Sequence, residues 1–187
     1  MEEARHKARL IGIIWNSTKI YSILEAVSMK KHRINVVDLL LFIVSAELAG
    51  VLSSLFAGSF RDFFIKYEKP PLLPNAGVFP IVWTILYAVM GVSAYLIYSS
   101  GKDRDDVKAA LKIYWIQLFV NFSWSIVFFR FECLWLAVIV VLLLLALIVL
   151  MIKKFVDINT AAGYINIPYL VWTAFASYLT IAIAVIN

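Results

Sequence analysis

The 187-residue chain has one cysteine, two histidines and few charges: Asp, Glu, Lys and Arg together make up 16% of it, against about 25% in an ordinary globular domain. Each shortage excludes something. A lone cysteine, Cys133, cannot build a disulfide framework. His6 and His32 both precede the first long apolar run, so no His/Cys/carboxylate set has metal-ligand spacing and no apolar run offers a histidine to a haem iron. The seven glycines form no P-loop, no dinucleotide fingerprint and no nucleophile elbow. No conventional catalytic constellation of acid, base, nucleophile or metal can be read, so enzyme activity stays open.

Apolar length is what the chain has instead. Sixty-three per cent of it is hydrophobic, with a mean hydropathy of +0.89. Gly77–Gly101, Ile113–Phe129, Cys133–Ile152 and Ile158–Asn187 carry no charge, and Val36–Phe60 carries only Asp38 and Glu47. A bilayer core about 30 Å thick takes roughly 20 apolar residues of helix. Backbone polar groups in lipid must be satisfied within a helix or a closed barrel, and these runs are too long and continuous for barrel strands. The first run is too long for a signal-peptide core, and four more follow it. The sequence therefore predicts an all-α integral membrane protein, a five-transmembrane-helix bundle, over residues 34–187, with spans at about 36–60, 77–100, 112–129, 133–152 and 160–186.

Charge placement gives an orientation. Residues 1–35 hold seven Lys/Arg, the 101–112 connection holds Lys102, Arg104, Lys108 and Lys112, and Lys153 and Lys154 follow the fourth span. These segments share one side. The other side has Arg61, Lys66, Lys69 and Arg130. The positive-inside rule then predicts a cytoplasmic N-terminus, in the plasma membrane if the cell is prokaryotic. The pI near 9.3 is accounted for by this asymmetry, and no nucleic-acid partner is expected. Residues 1–33 form a basic extension. Leu10, Ile13, Ile14, Tyr21 and Leu24 recur at roughly helical spacing. The stretch reads as an interfacial amphipathic helix, a poorly ordered extension, or a region upstream of a true start at Met29.

The spans are not plain aliphatic helices. Phe79, Trp83 and Tyr87 recur every four residues in the second, and so do Gln117, Asn121 and Ser125 in the third, which places each set on one helix face. Trp124 stands three after Asn121, with Phe128 four further on. In the fifth, Pro168, Trp172, Ala176 and Leu179 share a face beside Tyr169. Polar side chains in lipid usually face the bundle interior, although Trp and Tyr also gather at membrane interfaces, which fits Trp135 and Trp115. Glu47 is the one carboxylate deep in a span. It is either a functional group or a neutral, hydrogen-bonded one. Pro168 removes a backbone donor and is expected to bend the fifth helix, opening space beside it. Trp83, Trp124 and Trp172 are expected to converge there. Between the first two spans, "RDFFIKYEKPPLLPNAGVFP" holds four of the five prolines, so it is expected to be neither helix nor central strand. Phe63, Phe64, Tyr67, Leu72 and Leu73 make it too apolar for an idle loop, and it is expected to cover the bundle mouth or the membrane surface.

"KPPLLPNAGVFPIVWTILYAVMG", "QLFVNFSWSIVFF" and "PYLVWTAFASYL", in that order, resemble the TspO/MBR family of tryptophan-rich sensory proteins, whose animal members are called translocator protein. The resemblance covers about residues 36–187. It implies a five-helix bundle that binds porphyrins or other tetrapyrroles, sterol-like molecules and synthetic drugs, that needs no cofactor, and that in some members forms a homodimer. Family pocket positions fall on Phe64, Pro74, Trp83, Asn121, Trp124, Ser125, Trp172 and Ala176, and the shared faces add Tyr87 and Leu179. The chain departs from the family at Phe63-Phe64, where a Trp-Tyr pair is usual, at Leu72–Asn75, where loop tryptophans and a Pro-Pro pair are common, and at Thr180, where Asn is usual. Trp115, Ile116 and Phe119 occupy the region through which some members dimerise. Three functions follow as expectations. The first is a membrane receptor or carrier for a planar hydrophobic ligand. The second is light- and oxygen-dependent porphyrin degradation with Trp83 and Trp172 as redox partners. The third is a ligand-free scaffold or sensor.

Overall fold

The computed structural model describes residues 34–58 and 60–187; the side chains of Phe60, Arg61 and Phe64 lie outside the described set. The expected amphipathic stretch through Leu24, and Met29 with it, also lie outside the described residues. Every described element is helical, as lipid demands of a backbone that must satisfy itself. In chain order these are α1 (Val36–Ala57), α2 (Phe60–Lys66), α3 (Val78–Ser99), α4 (Asp105–Ser125), α5 (Leu134–Ile158), α6 (Thr160–Tyr164) and α7 (Ile167–Ile186). A π-helical turn, Ile126–Arg130, continues α4. α2 corrects the expectation that the connection after α1 holds no helix: its prolines begin only at Pro70, so the residues before Tyr67 keep their backbone donors and form a short helix. Five units are long and apolar enough to cross a membrane: α1, α3, α4 with its π turn, α5, and the α6–α7 pair. The chain is an integral, multi-pass membrane protein.

Two spans outrun their apolar windows. α4 starts at Asp105 rather than near 112, because Asp105 and Asp106 sit in its first turn, where carboxylates complement the helix dipole. Asp106 also accepts from Arg104 and from the Val107 N–H at 2.9 Å. α5 continues past Ile152 through the exposed Lys153 and Lys154 to Ile158. Charge ends a hydrophobic run, but it does not end a helix.

The fifth span corrects an expectation. It is not one helix bent at Pro168 but two helices joined at Ile165 and Asn166. Pro168 lies in the first turn of α7, where backbone N–H groups lack an intrahelical acceptor anyway, so its missing donor costs nothing. Its side chain is exposed. The buried Asn166 fixes the junction, donating to Ser93 Oγ at 2.6 Å and to the Ala162 carbonyl at 2.8 Å. Ser93 Oγ donates to the same carbonyl at 2.7 Å.

α1 packs on α3 and α4, and α5 packs on α4 and α7. Lipid is as apolar as leucine, so such contacts depend on close approach by small residues. A Cβ at Gly91 would lie 2.5 Å from the Ile43 Cα, so α1 and α3 touch backbone to backbone there. Ala46, Ala94 and Ala110 are fully buried nearby, with Tyr114, Ile148 and Phe155 filling the same end of the bundle. At the opposite end Phe63, Trp124, Phe128, Ala137, Val141, Ala176 and Ile183 form a second cluster. The rest of α1 shows aliphatic side chains outward, Leu41 and Leu55 among them, as a lipid-facing helix does.

Candidate functional site

On α1, Glu47, Gly50, Val51 and Ser54 follow the i, i+3, i+4, i+7 rhythm of one helix face. That face borders a cavity of about 460 Å³. Gly50 leaves room for an aromatic ring: a Cβ there would meet Tyr87 Cε2 at 2.4 Å. α3 supplies the facing wall with Phe79, Trp83 and Tyr87, spaced four apart, together with Pro80 and Thr84. Trp83 and Tyr87 are tilted neighbours with centroids 5.6 Å apart. The third wall is Trp124, Ser125 and Phe129. The π turn inserts an extra residue per turn. Trp124 stacks on Phe128 at 5.5 Å and 11°, while Phe129 stands edge-on to both. Gly58 and Ala76 close the loop end. Glu47 on α1 and Gly58 just past its end are eleven residues apart, so the chamber runs roughly 16 Å along the helix axes at ~1.5 Å per residue.

Behind the wall lies a buried polar chain. The Tyr87 hydroxyl donates to Asn121 Oδ1 at 3.0 Å, Asn121 Nδ2 donates to the Tyr169 hydroxyl at 2.8 Å, and that hydroxyl donates to Gln117 Oε1 at 2.8 Å. It ties α3, α4 and α7 together and fixes the tilt of the Tyr87 ring. In lipid such groups must find one another, because no water is present to replace a lost partner.

The proline-rich segment folds over the loop end. Phe63 is buried against Phe128 and Phe129, with centroids at 4.7 and 5.1 Å. Lys66 and the Tyr67 hydroxyl both bond the Glu132 carboxylate in the turn before α5. Tyr178 Oη donates to the Pro71 carbonyl at 3.1 Å, and the Glu68 N–H donates to Asn187 Oδ1 at 2.8 Å. Lys66 and Tyr67 hold the Glu132 carboxyl below its ordinary range, and the same bond raises Lys66. Both directions describe one exposed ion pair.

The expected site residues divide. Trp83, Tyr87, Trp124 and Ser125 line the cavity. Asn121 sits behind it in the polar chain. Trp172 does not line it: the indole is half-buried, edge-on to Phe79 at 5.9 Å and beside Phe175 at 5.7 Å. Ala176 and Leu179 are buried on α7 and do not line it, Ala176 packing in the cluster that holds Trp124, and Pro74 is half-buried in the loop. The Phe64 side chain lies outside the described set. The three indoles therefore do not converge. α7 turns Tyr169, Thr173, Ala176 and Thr180 inward, which leaves Trp172 on the flank. α1 supplies the remaining wall, a role sequence reasoning missed. Its trace was the small-residue rhythm of Gly50, Ser53, Ser54 and Ala57 in "AELAGVLSSLFAG".

The sequence profile of the TspO/MBR family matches residues 41–186. The tryptophan-rich protein TspO of Archaeoglobus fulgidus is 34% identical over 149 residues, covering 76% of this chain and 95% of that one. Its counterpart in Chlorobaculum tepidum is 32% identical over 125 residues, covering 67% and 79%. The translocator protein of Bos taurus is 26% identical over 140 residues, covering 74% and 83%.

Proposed function

The chain belongs to the TspO/MBR family, and from that premise we propose that it is a membrane receptor or carrier taking a planar hydrophobic ligand, a tetrapyrrole or sterol-like molecule, into the chamber between α1, α3 and α4. One observation carries the reading: a space of about 460 Å³ walled by Phe79, Trp83, Tyr87, Trp124 and Phe129 under a fastened loop. That volume falls within the ~300–1,000 Å³ of small-molecule pockets, which are mostly apolar with a few polar groups. Flat rings suit flat ligands, and each aromatic pair is worth ~0.5–1.5 kcal/mol beyond buried area. The name translocator protein, carried by the bovine relative, accords with a carrier. The photochemical reading has less support, because of the two indoles it would use only Trp83 lines the cavity. Thirteen of the seventeen basic residues on one side favour an orientation with the loop and its chamber mouth facing away from the cytoplasm.

Protoporphyrin titrated into protein in nanodiscs, followed by its Soret band, tests this. A Trp83→Leu, Trp124→Phe double variant is expected to bind at least about five-fold more weakly, from two ring contacts at the values above. Trp172→Phe is expected to bind as the wild type does. Equal affinity in all three proteins would refute the proposal.

A further inference from the structure

The family reading leaves one group in the chamber unused. Among the described residues, Glu47 is the one charged side chain on the wall. It is the twelfth residue of the 22-residue α1, at mid-span, and it lies at the deep end, with Tyr87, away from Gly58 and Ala76. No ion pair involves it among the described residues. Its carboxylate reaches the Ala88 backbone on α3, a neutral partner that leaves its charge unpaired, and the hydroxyl protons around it are committed elsewhere. Tyr87 donates to Asn121, Ser53 to the Phe122 carbonyl at 3.0 Å, and Ser54 to the Val51 carbonyl at 2.8 Å. An ionisable side chain at mid-membrane is expensive, and such groups mark ligand or ion sites unless a protein partner satisfies them.

We infer that Glu47 sets ligand class and orientation: the chamber selects planar apolar molecules whose inner end carries a hydrogen-bond donor, a protonated amine being the strongest case, and rejects a carboxylate there. This rests on the chamber being a ligand site. A charge-assisted hydrogen bond is stronger than a neutral one, and a low-dielectric site magnifies both attraction to a cation and repulsion of an anion. Discrimination comes as much from that repulsion as from the new bond. A porphyrin bearing carboxylates along one edge would enter with that edge toward the loop and its uncharged edge toward Glu47. A sterol-like ligand would enter hydroxyl first.

Three forms of one tetraarylporphyrin test the inference: the neutral ring, the ring with one aminomethyl arm, and the ring with one carboxymethyl arm. Each is titrated at neutral pH into protein held in phosphatidylcholine nanodiscs, with empty nanodiscs correcting for partition. The wild type is expected to bind the amine at least about ten-fold tighter than the acid, the size of a hydrogen bond to a charged group. In Glu47→Gln the ratio should fall to within about three-fold, each arm's affinity being taken relative to that of the neutral ring in the same variant. An unchanged ratio in Glu47→Gln, or no amine preference in the wild type, overturns the inference while leaving the chamber as a site. Failure of the neutral ring to bind the wild type overturns both. Should Glu47→Gln not fold, Glu47→Asp replaces it: the inference requires the amine preference to persist there, and its loss counts against it.

Discussion

At the end of the bundle that carries the α3–α4 and α5–α6 connections, backbone meets backbone. Gly91 lies against Ile43, Gly163 lies against the Val156 backbone, and alanines fill the seams. At the loop end the small residues of α1, Gly50, Ser53 and Ser54, stand opposite Trp83, Tyr87 and Trp124 instead, and the space between is left as a chamber. The same device, a helix face stripped of bulk, has opposite results. Opposite another bare face it closes the gap between helices. Opposite a row of rigid rings it holds the gap open, because indoles and phenols cannot collapse into it without leaving their own packing. The polar chain from Tyr87 to Gln117 separates the two regimes.

Substitutions at each end sharpen this contrast. Gly91→Leu should have the largest effect. Its side chain would meet Ile43 backbone atoms that cannot yield, which puts it at the upper end of the roughly 1–3 kcal/mol that overpacking costs. Thermal unfolding in detergent should show a much lower midpoint. Asn121→Leu comes next. It strands the Tyr87 hydroxyl, and a buried group without a partner costs about 1–3 kcal/mol. Both stability and Soret-detected binding should fall, since the Tyr87 ring loses its anchor. Gly50→Ala tests the hollow end: the new methyl meets the edge of the Tyr87 ring rather than backbone, so the ring must tilt against its bond to Asn121. Stability should fall by about 1 kcal/mol, the worth of that bond, while porphyrin affinity drops. If Gly50→Ala unfolds the protein as Gly91→Leu does, the two ends are not different.

The smallest effect concerns the loop. Glu132 titrates below its ordinary 4.5 because Lys66 and Tyr67 bond its carboxylate. A depressed carboxylate stabilises the fold above its unfolded pKa, and the contribution is lost as pH falls through the folded value. Lys66, raised above 10.5 by the same bond, contributes fully below that value and loses its share only as pH climbs past it. The fastening of α2 should therefore hold across neutral pH and loosen in acid below about 4.5. The protection of α2 amides, taken relative to their intrinsic exchange rate at each pH, should fall there, and Glu132→Gln should show the lower protection already at neutral pH. Protection that ignores both pH and the substitution would mean the pair fastens nothing.

The five spans were legible because lipid permits so few backbone solutions. The α3 stripe was legible because Phe79, Trp83 and Tyr87 repeat at the helix period, and so was the pairing of Trp124 with Phe128. What failed had local causes. Pro168 read as a kink because its distance from a helix start was unknown: α6 begins after Asn159, whose side chain accepts from the Ala162 N–H at 3.1 Å, and α7 begins anew at Ile167. Trp172 read as a wall residue because periodicity gives a face and not the neighbour that face meets. The π turn left no sequence trace, and it decides that Phe128 is buried while Phe129 reaches the cavity. The α1 wall was hidden for the opposite reason: a bare face carries little chemistry to notice.

The central claim is a hollow chamber between α1, α3 and α4 that a planar ligand fills. In a Cys133→Ser background, Ser54→Cys places a thiol on the α1 wall, and Val171→Cys places one on the lipid-facing side of α7. The decisive measurement is the rate at which a small membrane-permeant maleimide labels each thiol with and without saturating protoporphyrin. Slower labelling at position 54 alone is the predicted result. Equal rates at position 54 with and without porphyrin, or equal slowing at both positions, would contradict it.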